Sequence, residues 1–233
     1  MNKLNPPAVL AFDVFGTVVD WYGCIRREVE QALPNVDADK FTLAWRVGYV
    51  PALQAANASN EWILLDDLHR RILDSILVDF GHAHVSEDVR QSLTQAWHRL
   101  IPWSDSVPGM YRLKQKFTVC SLSNGNIGLL SDMAKNSGIP WDCILSAEVF
   151  KRYKPDPQTY LGVARTFNLQ PEQVMLVAAH QYDLDAARDC GLQTAYIERP
   201  NEYGPVRGKD ISGSADNNFH AGDINHLAEL LGC

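Results

Sequence analysis

Residues 9–21, VLAFDVFGTVVDW, decide the fold. An apolar run that reads as a buried strand breaks off in an acid, Asp13, followed by Gly16 and Thr17. A carboxylate at the carboxyl end of a central parallel strand sits at the mouth of the sheet, where open α/β folds place their ligands. Thr17 is positioned to hold the Asp13 carboxylate or to cap the turn beside it.

Residues 20–100 read as helical throughout. Trp21, Ile25, Val29 and Leu33 recur every four residues, and Phe41, Ala44, Trp45 and Tyr49 follow before Pro51 interrupts the pattern. Trp62, Leu65, His69, Ile72, Leu73 and Ile76 mark a third face, and Val89, Leu93, Ala96, Trp97 and Leu100 a fourth. Four helices with no strand between them, inserted after one strand, imply a separate helical cap over 20–100. From about residue 105 short apolar strands alternate with helices, which implies βαβ units and a parallel sheet. The strand candidates are 117–123, 143–147, 174–179 and 194–198, with helices at about 108–115, 126–137, 157–167 and 184–190. Residues 199–214, rich in Pro, Gly and Ser, read as a surface loop. A short strand near Asn218 and Phe219 and a helix over 223–231 close the chain. The core is then 1–19 together with 101–233.

The length, 233 residues, suits one domain with an inserted cap or two small domains. Hydrophobic content of 46% and charged content of 21% are those of a globular enzyme. A net charge of -7 and a pI near 5.4 argue against a nucleic-acid binder. An anionic substrate must therefore be drawn in by a local cluster of cations. Five scattered cysteines with no CxxC pair indicate a reducing, cytoplasmic setting. The amino-terminal stretch has too short an apolar run for a signal peptide, and no segment reaches the ~18 apolar residues that span a bilayer.

Three further stretches supply chemistry. LSNGN, 122–126, places Ser123 and Asn124 after a strand, with Gly125 allowing a tight turn whose amides can hold an anion. SNG is also a common turn signal. YKPDPQTY, 153–160, places Lys154 before a helix start, where a compact cation would keep Asp13 ionised; a solvated surface lysine is the alternative. VAAHQYDLDAARDCG, 177–191, carries His180 and Asp183. His180 falls on the strand-end rim with Asp13, Ser123 and Lys154, and neutral imidazole accepts a proton from water near pH 7.

These four stretches, in this order and spacing, resemble the motifs of the haloacid dehalogenase superfamily, and most specifically the type II, or L-2-haloacid, dehalogenases. The resemblance implies an α/β fold with a doubly wound, Rossmann-like parallel sheet and a helical cap, the site lying between them. It assigns Asp13 as the nucleophile, Ser123 and Asn124 to the substrate carboxylate, and Arg46 in AWRVGY to the departing halide. Trp62 and Tyr160 are placed near the pocket, although aromatic residues are core by default. Phosphatases of the superfamily carry a second aspartate where this chain has Phe15, and a magnesium-binding acid where it has Ala179. Phe15 matters because an alkoxide needs a proton on departure whereas a halide leaves without one. No metal and no cofactor are therefore expected. The expected substrate is a short 2-haloalkanoic acid, converted to a 2-hydroxy acid through an aspartyl ester. His180 and Asp183, assisted by Lys154, are the candidates to position the water. A homodimer is the family's expected assembly, with no nucleic-acid or membrane partner. A magnesium-dependent phosphatase and a non-enzymatic acid-binding protein are the competing readings.

Overall fold

The computed structural model describes residues 6–233 except residue 60. The first five residues of the stretch weighed against a signal peptide lie outside the described residues. Six parallel strands form one sheet in the order β3-β2-β1-β4-β5-β6. They are β1 (Val9–Phe12), β2 (Thr118–Ser123), β3 (Cys143–Ser146), β4 (Val174–Ala178), β5 (Gln193–Ile197) and β6 (Phe219–Ala221). Val9 pairs with Thr118 of β2 on one side and Val174 of β4 on the other, so β1 is central and its carboxyl end lies where the winding reverses. The doubly wound α/β fold is that expected.

Side chains alternate across β1 with period two, and each set enters a different core. Leu10 and Phe12 join Met175, Val177 and the helical block through Trp21, Trp45 and Trp97. Val9 and Ala11 face the other way, with Leu122, Leu176, Tyr160 and Leu184. The sheet is thus covered on both faces, as parallel sheets require.

Between β1 and β2 lie α1 (Trp21–Ala32), α2 (Ala38–Ala58), α3 (Leu65–Asp79) and α4 (Glu87–Gln95), then a 3-10 turn over Ala96–Arg99 and α5 (Ser106–Leu113). Asp20, Asp37 and Ser86 accept backbone N–H bonds at three of the helix starts, supplying donors' partners that the first turn lacks. Pro51 does not interrupt α2, which continues through it to Ala58. Pro51 and Val47, whose carbonyl loses its partner, both lie on the exposed face, where solvent replaces the missing N–H. Beyond β2 come α6 (Ile127–Ser137), α7 (Ala147–Phe150), α8 (Pro157–Thr166), α9 (Gln181–Asp189) and α10 (Ile224–Leu230). α9 begins three residues earlier than the sequence pattern suggests, which makes His180 its N-cap residue and puts Asp183 in its first turn.

The loop after β5 runs largely at the surface, as expected, but two of its residues turn inward. Arg199 is buried, donating to both carboxylate oxygens of Asp105 at 2.8 and 2.7 Å and to the Thr17 carbonyl at 2.9 Å. Glu202 is fully buried. Among the described residues, no helix is long and apolar enough to cross a membrane.

Candidate active site

Asp13 continues the β1 ladder by one bond, its N–H donating to the Val177 carbonyl at 3.0 Å. This fixes the carboxylate at the strand end, where loops from β2, β4 and the α7–α8 connection converge. Thr17 donates to Asp13 Oδ2 at 2.8 Å while its Oγ1 accepts the Ala179 N–H at 2.9 Å, so one hydroxyl ties the β1 turn to the end of β4. Lys154 Nζ lies 3.0 Å from Asp13 Oδ1 and 2.5 Å from Asp183 Oδ2. Its backbone N–H donates to Asn124 Oδ1 at 2.8 Å, anchoring the lysine to the end of β2. The Lys154–Pro155 peptide is cis. Tyr160 of α8 donates to Asp183 Oδ1 at 2.5 Å from beneath. His180 Nδ1 stands 3.1 Å from Asp13 Oδ2, and its Nε2 is 2.8 Å from Glu202 Oε1.

These groups set one another's charge. Burial works against ionisation of Asp13, but Lys154 and His180 outweigh it and hold the carboxyl well below the usual carboxylate range. Burial likewise opposes charge on Lys154, and Asp13 and Asp183 overcome it, raising its pKa. For His180 burial is again the largest influence; Glu202 and Asp13 override it and push the imidazole up to about 9. Glu202, despite burial, is drawn down to about 2 by His180 and Lys209.

A cavity of about 220 Å³ opens over Asp13. That is small beside the several hundred Å³ of drug-sized pockets and suits a molecule of few heavy atoms. Its wall includes Phe15, Asn124, Lys154, His180 and Asp183 from the sheet side, and Arg46 and Tyr49 from α2. Phe15 is buried, its ring edge-on to Trp97 at 5.9 Å between centroids. The Arg46 guanidinium lies over Tyr49 at 4.3 Å and Trp21 at 5.3 Å, and its Nη1 is buried with no hydrogen-bond partner. A weakly hydrated cation among aromatic faces, with a free donor, is chemically able to receive a small anion.

Three residues expected at the pocket stand elsewhere. Ser123 is fully buried, and its Oγ is turned back to accept the Gly125 N–H at 3.1 Å, so it shapes the turn and leaves the cavity wall to Asn124. Trp62 lies ahead of α3 and stacks on Tyr153 at 4.6 Å, behind the segment that carries Lys154. Tyr160 sits below the wall and reaches the site only through Asp183. Sequence reasoning in turn missed Tyr49, Asn57, Tyr182 and Glu202. Asn57 exchanges two hydrogen bonds of 2.8 Å with the backbone of Tyr153, joining α2 to the strand of chain before Lys154. Tyr49 shares the Arg46 face of α2 at i+3, a spacing that marks it in retrospect.

The arrangement presents an ionised, buried carboxylate to a small enclosed space, with a fixed lysine beside it and a free guanidinium across from it. Among the described residues no group of three or more His, Cys, Asp or Glu is placed to hold a metal ion. The cation between Asp13 and Asp183 is Lys154 itself.

Residues 7–191 match the family model for haloacid dehalogenase-like hydrolases. The chain is 42% identical to a solved L-2-haloacid dehalogenase, which it matches with a TM-score of 0.91 over 97% of its own length and 100% of the other's. It is 43% identical to a solved defluorinating L-2-haloacid dehalogenase, with a TM-score of 0.92 over 98% of this chain and 96% of that one. Among curated proteins, (S)-2-haloacid dehalogenase 1 from Pseudomonas sp. (strain CBS-3) is 26% identical over 206 residues, covering 86% of this chain and 89% of that protein.

Proposed function

We propose that this chain, which belongs to the haloacid dehalogenase-like hydrolases, converts short 2-haloalkanoic acids of L configuration to 2-hydroxy acids through an ester on Asp13. The observation that carries the reading is the pairing, within one small cavity, of an Asp13 carboxylate locked into its charged form with the unpartnered guanidinium of Arg46. The L-2-haloacid dehalogenases at 42% and 43% identity add weight to it.

In the first step an Asp13 oxygen attacks C2 from the side opposite the halogen. The C–O bond forms as the C–halogen bond breaks, and the electron pair leaves with the halide toward Arg46. Asn124 and the nearby backbone bind the substrate carboxylate, and Lys154 offsets the repulsion between it and Asp13. In the second step water adds to the Asp13 carboxyl carbon and the 2-hydroxy acid departs, restoring Asp13. His180 and Asp183 border the place where that water must stand. Phe15 fits this chemistry, because a halide leaves without the general acid that an alkoxide would demand.

The helical block of residues 20–100 acts as a cap over a core of 1–19 and 101–233, with α2 bringing Arg46 to the site. A cytoplasmic homodimer is the working assembly, the compartment being suggested by five free cysteines. Halide release from separate L- and D-2-chloropropionate and from fluoroacetate, first in EDTA and then with magnesium, tests the reading. Release from the L isomer in EDTA is expected. Silence under both conditions, with turnover of a phosphate ester when magnesium is added, would refute it.

A further inference from the structure

Glu202 enters the site from the loop after β5, a segment whose composition suggests only a surface connection. Its carboxylate is fully buried. Oε1 is shared between His180 Nε2 at 2.8 Å and Trp21 Nε1 at 3.1 Å, while Oε2 receives the Lys209 ammonium. Gly16 makes room for it: φ is +86° there, and a Cβ on that residue would lie 2.3 Å from Glu202 Oε1. The imidazole of His180 is therefore clamped between two carboxylates, with Asp13 on Nδ1 and Glu202 on Nε2.

We propose that Glu202 is the positioning residue that holds His180 with Nε2–H toward itself and Nδ1 toward Asp13, and that alkylation of Asp13 switches His180 from a charged partner into the base of hydrolysis. The proposal rests on the reading of Asp13 as nucleophile. The groups facing His180 are few. Asp13 reaches it from the end of β1 and Glu202 from the loop after β5, and the Tyr182 ring lies 5.5 Å away on α9. Lys154 and Lys209 bind the far oxygens of the two carboxylates, Asp183 stands beyond Lys154, and Arg46 lines the same cavity from α2.

In the resting enzyme both flanking carboxylates are anionic, and the imidazole between them is charged. Ester formation makes Asp13 neutral and removes one of the two anions that hold that proton. The Nδ1 proton is then released, leaving a neutral imidazole whose remaining proton, on Nε2, stays bonded to Glu202. Nδ1 is thereby free to accept a proton from the attacking water. The hydroxide oxygen bonds to the Asp13 carboxyl carbon and the bond from that carbon to the substrate oxygen breaks. The alkoxide takes the second water proton, regenerating the Asp13 carboxylate beside a recharged His180. One proton and one halide leave per turnover, and no other reactant is needed. An ordinary ester carbonyl and a neutral base thus arise together, from the same event.

The titration of His180 followed by nitrogen NMR in the ligand-free enzyme tests the clamp apart from any activity. A midpoint near 9 is expected in the wild type. Glu202→Gln is expected to lower it by roughly one unit or more, because one anion is lost. Lys209→Met removes the cation that competes for Glu202 and is expected to raise the midpoint, and it leaves the buried carboxylate in place should Glu202→Gln fold poorly. An unmoved midpoint in both variants would overturn the proposal. With L-2-chloropropionate, Glu202→Gln should keep a rapid burst of about one halide per enzyme while hydrolysis slows ~10–100-fold, so that the ester accumulates in the intact-protein mass. Glu202→Asp should partly restore the second step. Burst and hydrolysis falling together would also overturn it, since that pattern marks a merely structural role. An unlabelled Asp13 after wild-type turnover in oxygen-18 water, with halide released, would instead sink the nucleophile reading.

Discussion

Replacing Lys154 by methionine removes the cation common to two buried carboxylates while keeping much of the side chain's length. At 3.0 Å from Asp13 and with an effective dielectric near 20, the pair's attraction alone is about 5 kcal/mol. Desolvation offsets part of this, and breaking one partner out of a buried pair typically costs about 3–5 kcal/mol. Without that cation the acid limb of Asp13, which lies well below the usual carboxylate range in the wild type, should move upward. The substrate's negative charge would also meet the Asp13 carboxylate with no neighbouring cation to offset it. The assay is kcat/KM for halide release from L-2-chloropropionate between pH 5 and 10, with circular dichroism to confirm the fold. At pH 7 kcat/KM should fall ~10²–10⁴-fold, in line with ~3–5 kcal/mol, with the acid limb moved upward relative to the wild type. A variant within tenfold of the wild type, with its acid limb unmoved, would refute the argument that Lys154 keeps the nucleophile ionised.

Three other outcomes follow from the same geometry. Tyr160→Phe takes away the 2.5 Å hydrogen bond to Asp183 and, at ~1.5–3 kcal/mol for a bond to a charged group, should lower kcat ~10–100-fold with KM for L-2-chloropropionate little changed; a raised KM with unchanged kcat would contradict this. Arg46→Met should abolish inhibition by added chloride or bromide and slow the halide burst at least ~100-fold, because the Arg46 guanidinium brings an unpartnered buried donor to the cavity wall; retained halide inhibition would move the anion site elsewhere. His98 lies 3.2 Å from Asp66 of α3 and 2.8 Å from Asp132 of α6, and although burial opposes its protonation, these hydrogen bonds raise its pKa above 6.5. A raised folded-state pKa contributes stability that is fully present below the unfolded value and is lost as the pH climbs through the folded one. His98→Gln should therefore lower the urea midpoint at pH 6, by the equivalent of about 1 kcal/mol for so partly exposed a pair, and leave it unchanged at alkaline pH; a deficit that grew with pH would reverse the assignment.

The sheet was legible because buried strands announce themselves. Val9–Phe12 and Val174–Ala178 are unbroken apolar runs, and in a parallel sheet such runs end where ligands bind. Asp13, Asn124, Lys154 and His180 each follow a strand end or precede a helix start, so their convergence follows from topology. What periodicity does not encode is which way a side chain turns once the chain leaves an element. Ser123 and Asn124 are neighbours at one strand end, yet the serine folds back onto Gly125 and only the asparagine faces the cavity. Trp62 fits a helical face by spacing but falls before α3, where Tyr153 offers a ring to stack on. Pro51 reads as a helix break, and it is tolerated because its turn of α2 faces solvent. Glu202 was hidden most completely. Proline and glycine around it mark a loop correctly, but its inward turn depends on Trp21, His180 and Lys209, none of them local to it in helix or strand register.

Single turnover with enzyme in excess over L-2-chloropropionate, run in water enriched in oxygen-18, tests the ester mechanism most directly. Water that attacks the Asp13 carboxyl carbon deposits its oxygen there, and the oxygen originally on Asp13 leaves in the product. Mass spectrometry should find the label on the peptide containing Asp13 and an unlabelled 2-hydroxy acid. A labelled product with an unlabelled Asp13 would mean that water displaces the halide directly, and Asp13 would no longer be the nucleophile.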